Sequence, residues 1–174
     1  MDGERREGVY DADPHSAAMT AWDTLTNEYR HWKGWQWKVL GRAPILPKRR
    51  RILYWARWAA AQPGAATSYL YGGIPGIGTG THTDCSGFVL AVYRKVGVTL
   101  PRTSEEQYLA AKTHPARGSI KPADLVFFNY EGPNSHVGIF TGSGWMIADQ
   151  HTGSGIVRTT VDWAYFDGAG CYLP

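Results

Sequence analysis

The chain of 174 residues has only two cysteines, Cys85 and Cys171, which excludes a disulfide framework. Long apolar runs are missing too, since no stretch approaches the roughly 18 residues that a membrane helix needs. The opening residues "MDGERREGVY" are charged and lead into no apolar core, so no secretion leader of the usual kind is read there. Neither CxxC nor HxxxH occurs, which disfavours a metal centre, and no cofactor is expected. In "SYLYGGIPGIGTGTHT" the Lys-Ser/Thr that closes a phosphate loop is absent, so nucleotide binding is disfavoured as well.

What is present suits one globular domain with an N-terminal elaboration: 43% hydrophobic residues, 19% charged, and eight tryptophans. The formal charge of +3 is concentrated in front, where residues 1–66 carry 11 Lys/Arg against 7 Asp/Glu. Its peak, Lys48, Arg49, Arg50 and Arg51, reads as the solvated first turn of a helix, with a face for an anionic polymer as the alternative; no nucleic-acid partner is expected.

Periodicity divides the chain into helices first and strands afterwards. Asp13 and Pro14 open a helix with Ala18, Trp22, Leu25, Tyr29 and Trp32 on one stripe. A Gly- and Pro-broken connector follows, with a short strand at 35–40, so residues 1–46 are taken as a Trp-rich helical extension and 47–174 as the main domain. A second helix runs from Pro47 to the stop at Pro63-Gly64. A third begins near Cys85 and ends before Gly97, and Thr103 and Glu106 are spaced as a capping box for a short fourth. Strands are expected at 125–128, 136–141, 145–148, 156–159 and 170–173. The fold class is therefore α+β, an antiparallel β-sheet packed by helices.

Cys171, in "GCYLP", has apolar neighbours and reads as a small buried filler. Cys85 differs, because a helix N-terminus and a nearby imidazolium both favour the thiolate that attacks carbonyls. Among the six histidines, His136 opens the strand "HVGIF" directly after the turn "YEGPNS", where its ring can project from a sheet toward a helix end.

The blocks "SYLYGG", "TDCSGFV", "LPRTSEEQ", "KPADLVFF" and "SHVGIFTGSGWMI", in this order, resemble the NlpC/P60 family of cell-wall cysteine peptidases. The resemblance spans about residues 50–174. It implies a papain-like core with Cys85 as nucleophile at a helix N-terminus and His136 as general base. It also implies substrate contacts from Tyr69, Asp84 and Ser86, with Tyr69 beside the oxyanion and Arg102, Ser104 and Gln107 as support. Asp84 as N-cap alone is the plainer reading of that residue. The substrate class implied is peptidoglycan stem peptides, cut next to D-glutamate and diaminopimelate or lysine, so the place of action is the bacterial cell wall. With no leader apparent, a phage lysin or virion-borne hydrolase is the expected context, and residues 1–46 a docking element for a phage or secretion partner, or packing that limits access to the cleft. A wall-binding degenerate peptidase and a papain-like toxin or acyltransferase are the alternatives.

One position departs from the family pattern. The polar residue expected to steady the histidine falls, counted from His136, on Ala148. Asp149 is the expected replacement, since a carboxylate fixes the tautomer and stabilises the imidazolium; it needs a β-bulge to reach the right face. Gln150 has the right parity but lies further along, His151 is in the next turn, and a Cys85–His136 dyad with no third member is the remaining option.

Overall fold

The structure, a computed structural model, describes residues 47–65 and 68–174, which fall within the unit Leu46–Pro174. The readings made for residues 1–46, including the Trp-rich helix and the strand at 35–40, lie outside the described residues.

Helix α1 (Lys48–Ala60) starts after Pro47, whose fixed φ suits a helix entry, and sends Ile52, Leu53, Ala56 and Ala59 inward. Its basic first turn is not simply solvated. Arg49 donates to Asp124 Oδ1 at 2.8 Å, to the Pro122 carbonyl at 2.9 Å and to Cys171 Sγ at 3.2 Å, while Arg51 donates to the Lys95 carbonyl. Cys171 is a free, buried thiol, as its apolar surroundings indicated.

Helix α2 (Cys85–Arg94) is buried along most of its length, and Gly97 follows it at φ 71°, a left-handed turn that a side chain resists. Helix α3 (Ser104–Leu109) carries the capping box: Thr103 Oγ1 accepts from the Glu106 N–H, and Glu106 accepts from the Thr103 N–H.

The strands are β1 (Leu125–Phe128), β2 (His136–Gly142), β3 (Trp145–Asp149), β4 (Ile156–Thr160) and β5 (Phe166–Gly170). They form one antiparallel sheet in the order β4-β3-β2-β1-β5. Alternation assigns the two faces. Leu125, Phe127, Val137, Ile139 and Ile147 pack against α1 and α2, whereas Val126, Phe128, Phe140, Met146 and Ala148 form a second cluster on the far side with Val161. The first four strands fall where the alternating pattern put them. The fifth does not: "FDGAG" pairs with β1, and the expected strand at 170–173 contributes only Gly170 and an isolated bridge between Cys171 and Thr113.

Candidate active site

A cleft of about 750 Å³ opens over the N-terminus of α2, with Cys85 and His136 both in its wall. How they meet follows from the strand pattern. The Phe140 N–H bonds toward β1, so by alternation the Val137 N–H points toward β3. Pairing between β2 and β3 ends at Ile139 and Ile147. Val137 is thus left without a β3 partner, and its N–H is directed at the Cys85 sulfur instead, together with that of Ser86. The sulfur occupies the gap where two strands part. His136 is the neighbour of Val137 on the other face, its ring 5.9 Å from Phe128 and 5.7 Å from Tyr130.

Electrostatics departs from the thiolate expected at a helix N-terminus. Burial pushes the Cys85 thiol up to about 11, with the Asp84 and Asp149 charges adding to it and the Val137 and Ser86 N–H groups opposing. Burial also pushes the His136 imidazole down to about 4, helped by His151. Burial thus drives both groups toward their neutral forms, desolvation opposing the dipole of a helix of 10 residues. His136 Nε2 is sealed from solvent with no hydrogen-bond partner.

Asp84 and Ser86 flank the nucleophile, but their polar atoms point into the scaffold. Asp84 Oδ1 accepts from the Gly87 N–H at 2.7 Å, from Ser86 Oγ at 3.0 Å and from Arg102 at 3.0 Å; Oδ2 accepts from the Gly72 N–H at 3.0 Å and from Arg102 at 2.7 Å. Burial opposes ionisation of this carboxylate, but Arg102 and the N–H of Gly87 outweigh it and hold Asp84 below the usual carboxylate range. Arg102 also binds Ser86 Oγ and the Gly73 carbonyl, and Gln107 Nε2 ties the Ser86 and Pro101 carbonyls together. Asp84 is an N-cap whose charge is matched by a forked guanidinium, and "LPRTSEEQ" supplies the brace.

Tyr69 is half-buried on the cleft wall, held by a bridge to Thr83 two residues before the nucleophile. Burial first, then the Cys85 charge, raises its hydroxyl, so it stays a proton donor beside the sulfur.

Asp149 does not reach His136. It shares the face of Ile147, on the α2 side, is fully buried, and its Oδ1 lies 3.1 Å from Ser68 Oγ. The register shift between β2 and β3 lies between Phe140 and Gly142, at the far end of the ladder, so no bulge re-aims the side chain. The Ser68 hydroxyl also faces the Ala65 carbonyl at 2.7 Å and cannot donate to both. Burial pushes the Asp149 carboxyl up to about 7, although the hydrogen bond from Ser68 favours the ionised form.

This carboxyl sets a pH dependence of stability. The folded state binds the Asp149 proton more tightly than the unfolded chain, so its contribution is fully present below the unfolded value near 4 and is lost as pH rises through about 7. Asp149→Asn, which is uncharged at both pH values and keeps an acceptor oxygen for Ser68, is expected to be more stable than wild type by about 3 kcal/mol at pH 8 and nearly equal to it at pH 4. Urea melts at the two pH values check this; equal differences at both would contradict it.

Tyr130, Glu131 and Ser68 escaped the sequence reading. The first two lie in "YEGPNS", which carried only a turn signal, and both line the cleft. Glu105 of α3 lines it as well, and among the described residues no lysine or arginine does.

A thiol at a helix start and the histidine that opens a strand of the adjoining antiparallel sheet, both in the wall of one cleft, mark a fold of the papain-like type. The model of the NlpC/P60 family matches residues 66–170, and the chain belongs to that family. It is 45% identical over 95 residues to the probable endopeptidase p60 of Listeria innocua, covering 55% of this chain and 19% of that protein. To the gamma-D-glutamyl-L-lysine dipeptidyl-peptidase of Bacillus subtilis it is 36% identical over 106 residues, covering 59% and 34%. The chain thus matches only a fifth to a third of these relatives. Its fold is shared with the P60 domain of a Mycobacterium avium subspecies paratuberculosis antigen, at a TM-score of 0.59 and 22% identity over 73% of this chain and 96% of that one. These relatives are bacterial, and the phage-borne context draws no support from them.

Proposed function

We propose that the protein is a peptidoglycan endopeptidase that cuts stem peptides on the carbonyl side of a lysine or diaminopimelate nitrogen, next to D-glutamate. The observation that carries this reading is that Cys85, at the N-terminus of α2, and His136, at the start of β2, line one cleft.

Catalysis begins from the neutral pair. As Sγ adds to the γ-carbonyl of D-glutamate, the thiol proton passes to His136, and Nδ1 receives it because Nε2 is sealed off. The oxyanion is met by the Tyr69 hydroxyl and by the backbone N–H of Cys85, which at the first helical position has no intrahelical acceptor. The tetrahedral adduct collapses, the C–N bond breaks, and the imidazolium gives its proton to the departing amine. Water, deprotonated by His136, then hydrolyses the thioester and restores the thiol. Asp84 and Ser86 act indirectly, by fixing the first turn of α2 with Arg102.

The preference for a diamino acid is supported by charge. Asp84 is neutralised by Arg102, which leaves Glu105 and Glu131 as the cleft's unmatched carboxylates; a substrate with a free side-chain ammonium complements them. The name of the B. subtilis relative supports the same bond.

Mass spectrometry of products from synthetic stem peptides tests the proposal. Cleavage between D-glutamate and the diamino acid is expected, with kcat/KM falling at least about tenfold when the side-chain amine is acetylated, the size of one charge-assisted contact. Scission at another bond, or indifference to acetylation, would overturn the specificity; intact peptides and sacculi would overturn the activity.

A further inference from the structure

We infer that Gln150 is the residue that positions the catalytic histidine, its carboxamide oxygen accepting the His136 Nε2–H. The inference rests on the peptidase reading for its kinetic consequences, though not for its geometry. His136 is 7% exposed and its Nε2 has no hydrogen-bond partner. A buried ring nitrogen without a partner is costly, and a general base with a free ring loses the tautomer it needs.

Several neighbours of the ring are already committed elsewhere or carry no acceptor. Ala148, on the same face, has no polar atom; a Cβ built on Gly138 would stand 3.2 Å from its methyl, which confirms that these two residues lie side by side across the strands. Asp149 faces α2 and belongs to Ser68. Both ring nitrogens of His151 are engaged within its own turn, Nδ1 2.9 Å from the Thr152 carbonyl and Nε2 3.1 Å from Ser154 Oγ. The Tyr130 hydroxyl is hydrogen-bonded to Asp162, and its ring is stacked on Phe128.

Gln150 remains. Pairing ends at Ile139 and Ile147, but strand parity still places Ala148 and Gln150 on the face of the sheet that Gly138 and His136 occupy. Its backbone is fixed by an N–H bond to the Gly155 carbonyl at 2.9 Å, which extends the β3–β4 hairpin by one residue. Its side chain is half-buried, lines the cleft beside His136, and has no hydrogen bond of its own among the described residues. Both side chains line the same cleft, which is where the amide oxygen would meet Nε2. With Nε2–H held there, Nδ1 carries the lone pair that takes the thiol proton. The positioning group has moved two residues along β3 from Ala148, keeping its parity.

The test is made first on the free enzyme, so that it stands whether or not the substrate has been named correctly. Nitrogen-15 shifts of His136 are expected to show the Nε2–H tautomer in wild type, a mixture of tautomers in Gln150→Ala, and the wild-type tautomer again in Gln150→Glu, which keeps an acceptor. With any cleaved stem peptide, Gln150→Ala is expected to lower kcat tenfold or more with KM within twofold, and Gln150→Glu to recover most of it. An unchanged tautomer in Gln150→Ala, or a loss confined to KM, would overturn the assignment. A Gln150→Ala protein that melts as wild type does but keeps full kcat would overturn it equally.

Discussion

Cys85→Ala is expected to abolish release of stem-peptide fragments from sacculi, by about 10⁴-fold or more, while leaving the fold intact. Among the described residues the only other thiol, Cys171, is buried against Arg49 and the Leu173 carbonyl and is absent from the cleft wall. The structural cost of the change is small, about 1 kcal/mol for the bond lost to Val137, so a folded and inert variant is the expected result. Cys85→Ser should be nearly as inactive, since a hydroxyl is a far weaker nucleophile before a base whose imidazole burial has pushed to about 4. The neutral resting pair adds a second readout. With the thiol pushed up to about 11, alkylation of Cys85 by iodoacetamide should climb steadily from pH 7 to pH 10. A rate already on a plateau at pH 6 to 8 would show a preformed thiolate and contradict the neutral pair; residual cleavage by Cys85→Ala would remove the cysteine mechanism altogether.

Much of this site could be read before any coordinates. The apolar recurrence after Ser86, the glycine at 97 and the Thr103–Glu106 spacing fix helix ends because capping is local chemistry. Alternation likewise placed β1 to β4. The fifth strand escaped because "FDGAG" has two glycines and an aspartate, residues with poor strand propensity, and is extended by pairing with β1 rather than by its own preference. At the site, Asp149 was expected to steady His136 by way of a β-bulge; no bulge lies there, and strand parity keeps its side chain on the α2 face beside Ser68. Less legible was the setting of Cys85: a helix N-terminus favours thiolate, yet the weight of burial depends on where the strands part, which no local pattern reveals. The partner of Asp84 was also hidden, because Arg102 lies 18 residues on, although a carboxylate capping so apolar a helix needed a cation from somewhere.

That cation carries the second large effect. Arg102→Ala removes both arms of the fork to Asp84, the bond to Ser86 Oγ and the one to the Gly73 carbonyl. What is left is a carboxylate with 8% side-chain exposure facing no positive charge. Stripping one partner from a fully buried pair costs about 3–5 kcal/mol. The Arg102 side chain is 36% exposed, so water recovers part of that loss and about 2–3 kcal/mol is expected, a fall in Tm of about 8–12 °C for a domain of this size. The sign of the pH dependence identifies the source. Asp84 is held below the usual carboxylate range, so the stability it lends is present above its unfolded value and fades as pH falls through the folded one; the gap between wild type and Arg102→Ala should therefore close in acid. Arg102→Lys keeps the charge without the fork and should fall between the two. Activity should suffer along with stability even where the variant is folded, because the residues being braced are the first turn of α2 and the loop at Gly73, where a Cβ would sit 2.5 Å from the His82 carbonyl. A shift in a loop packed that closely is expected to move Tyr69, which is tied to Thr83 and lines the cleft. Thermal melts across pH 3 to 8, paired with kcat on folded protein, measure both effects; an Arg102→Ala protein as stable and active as wild type would show that Asp84 needs no counter-charge.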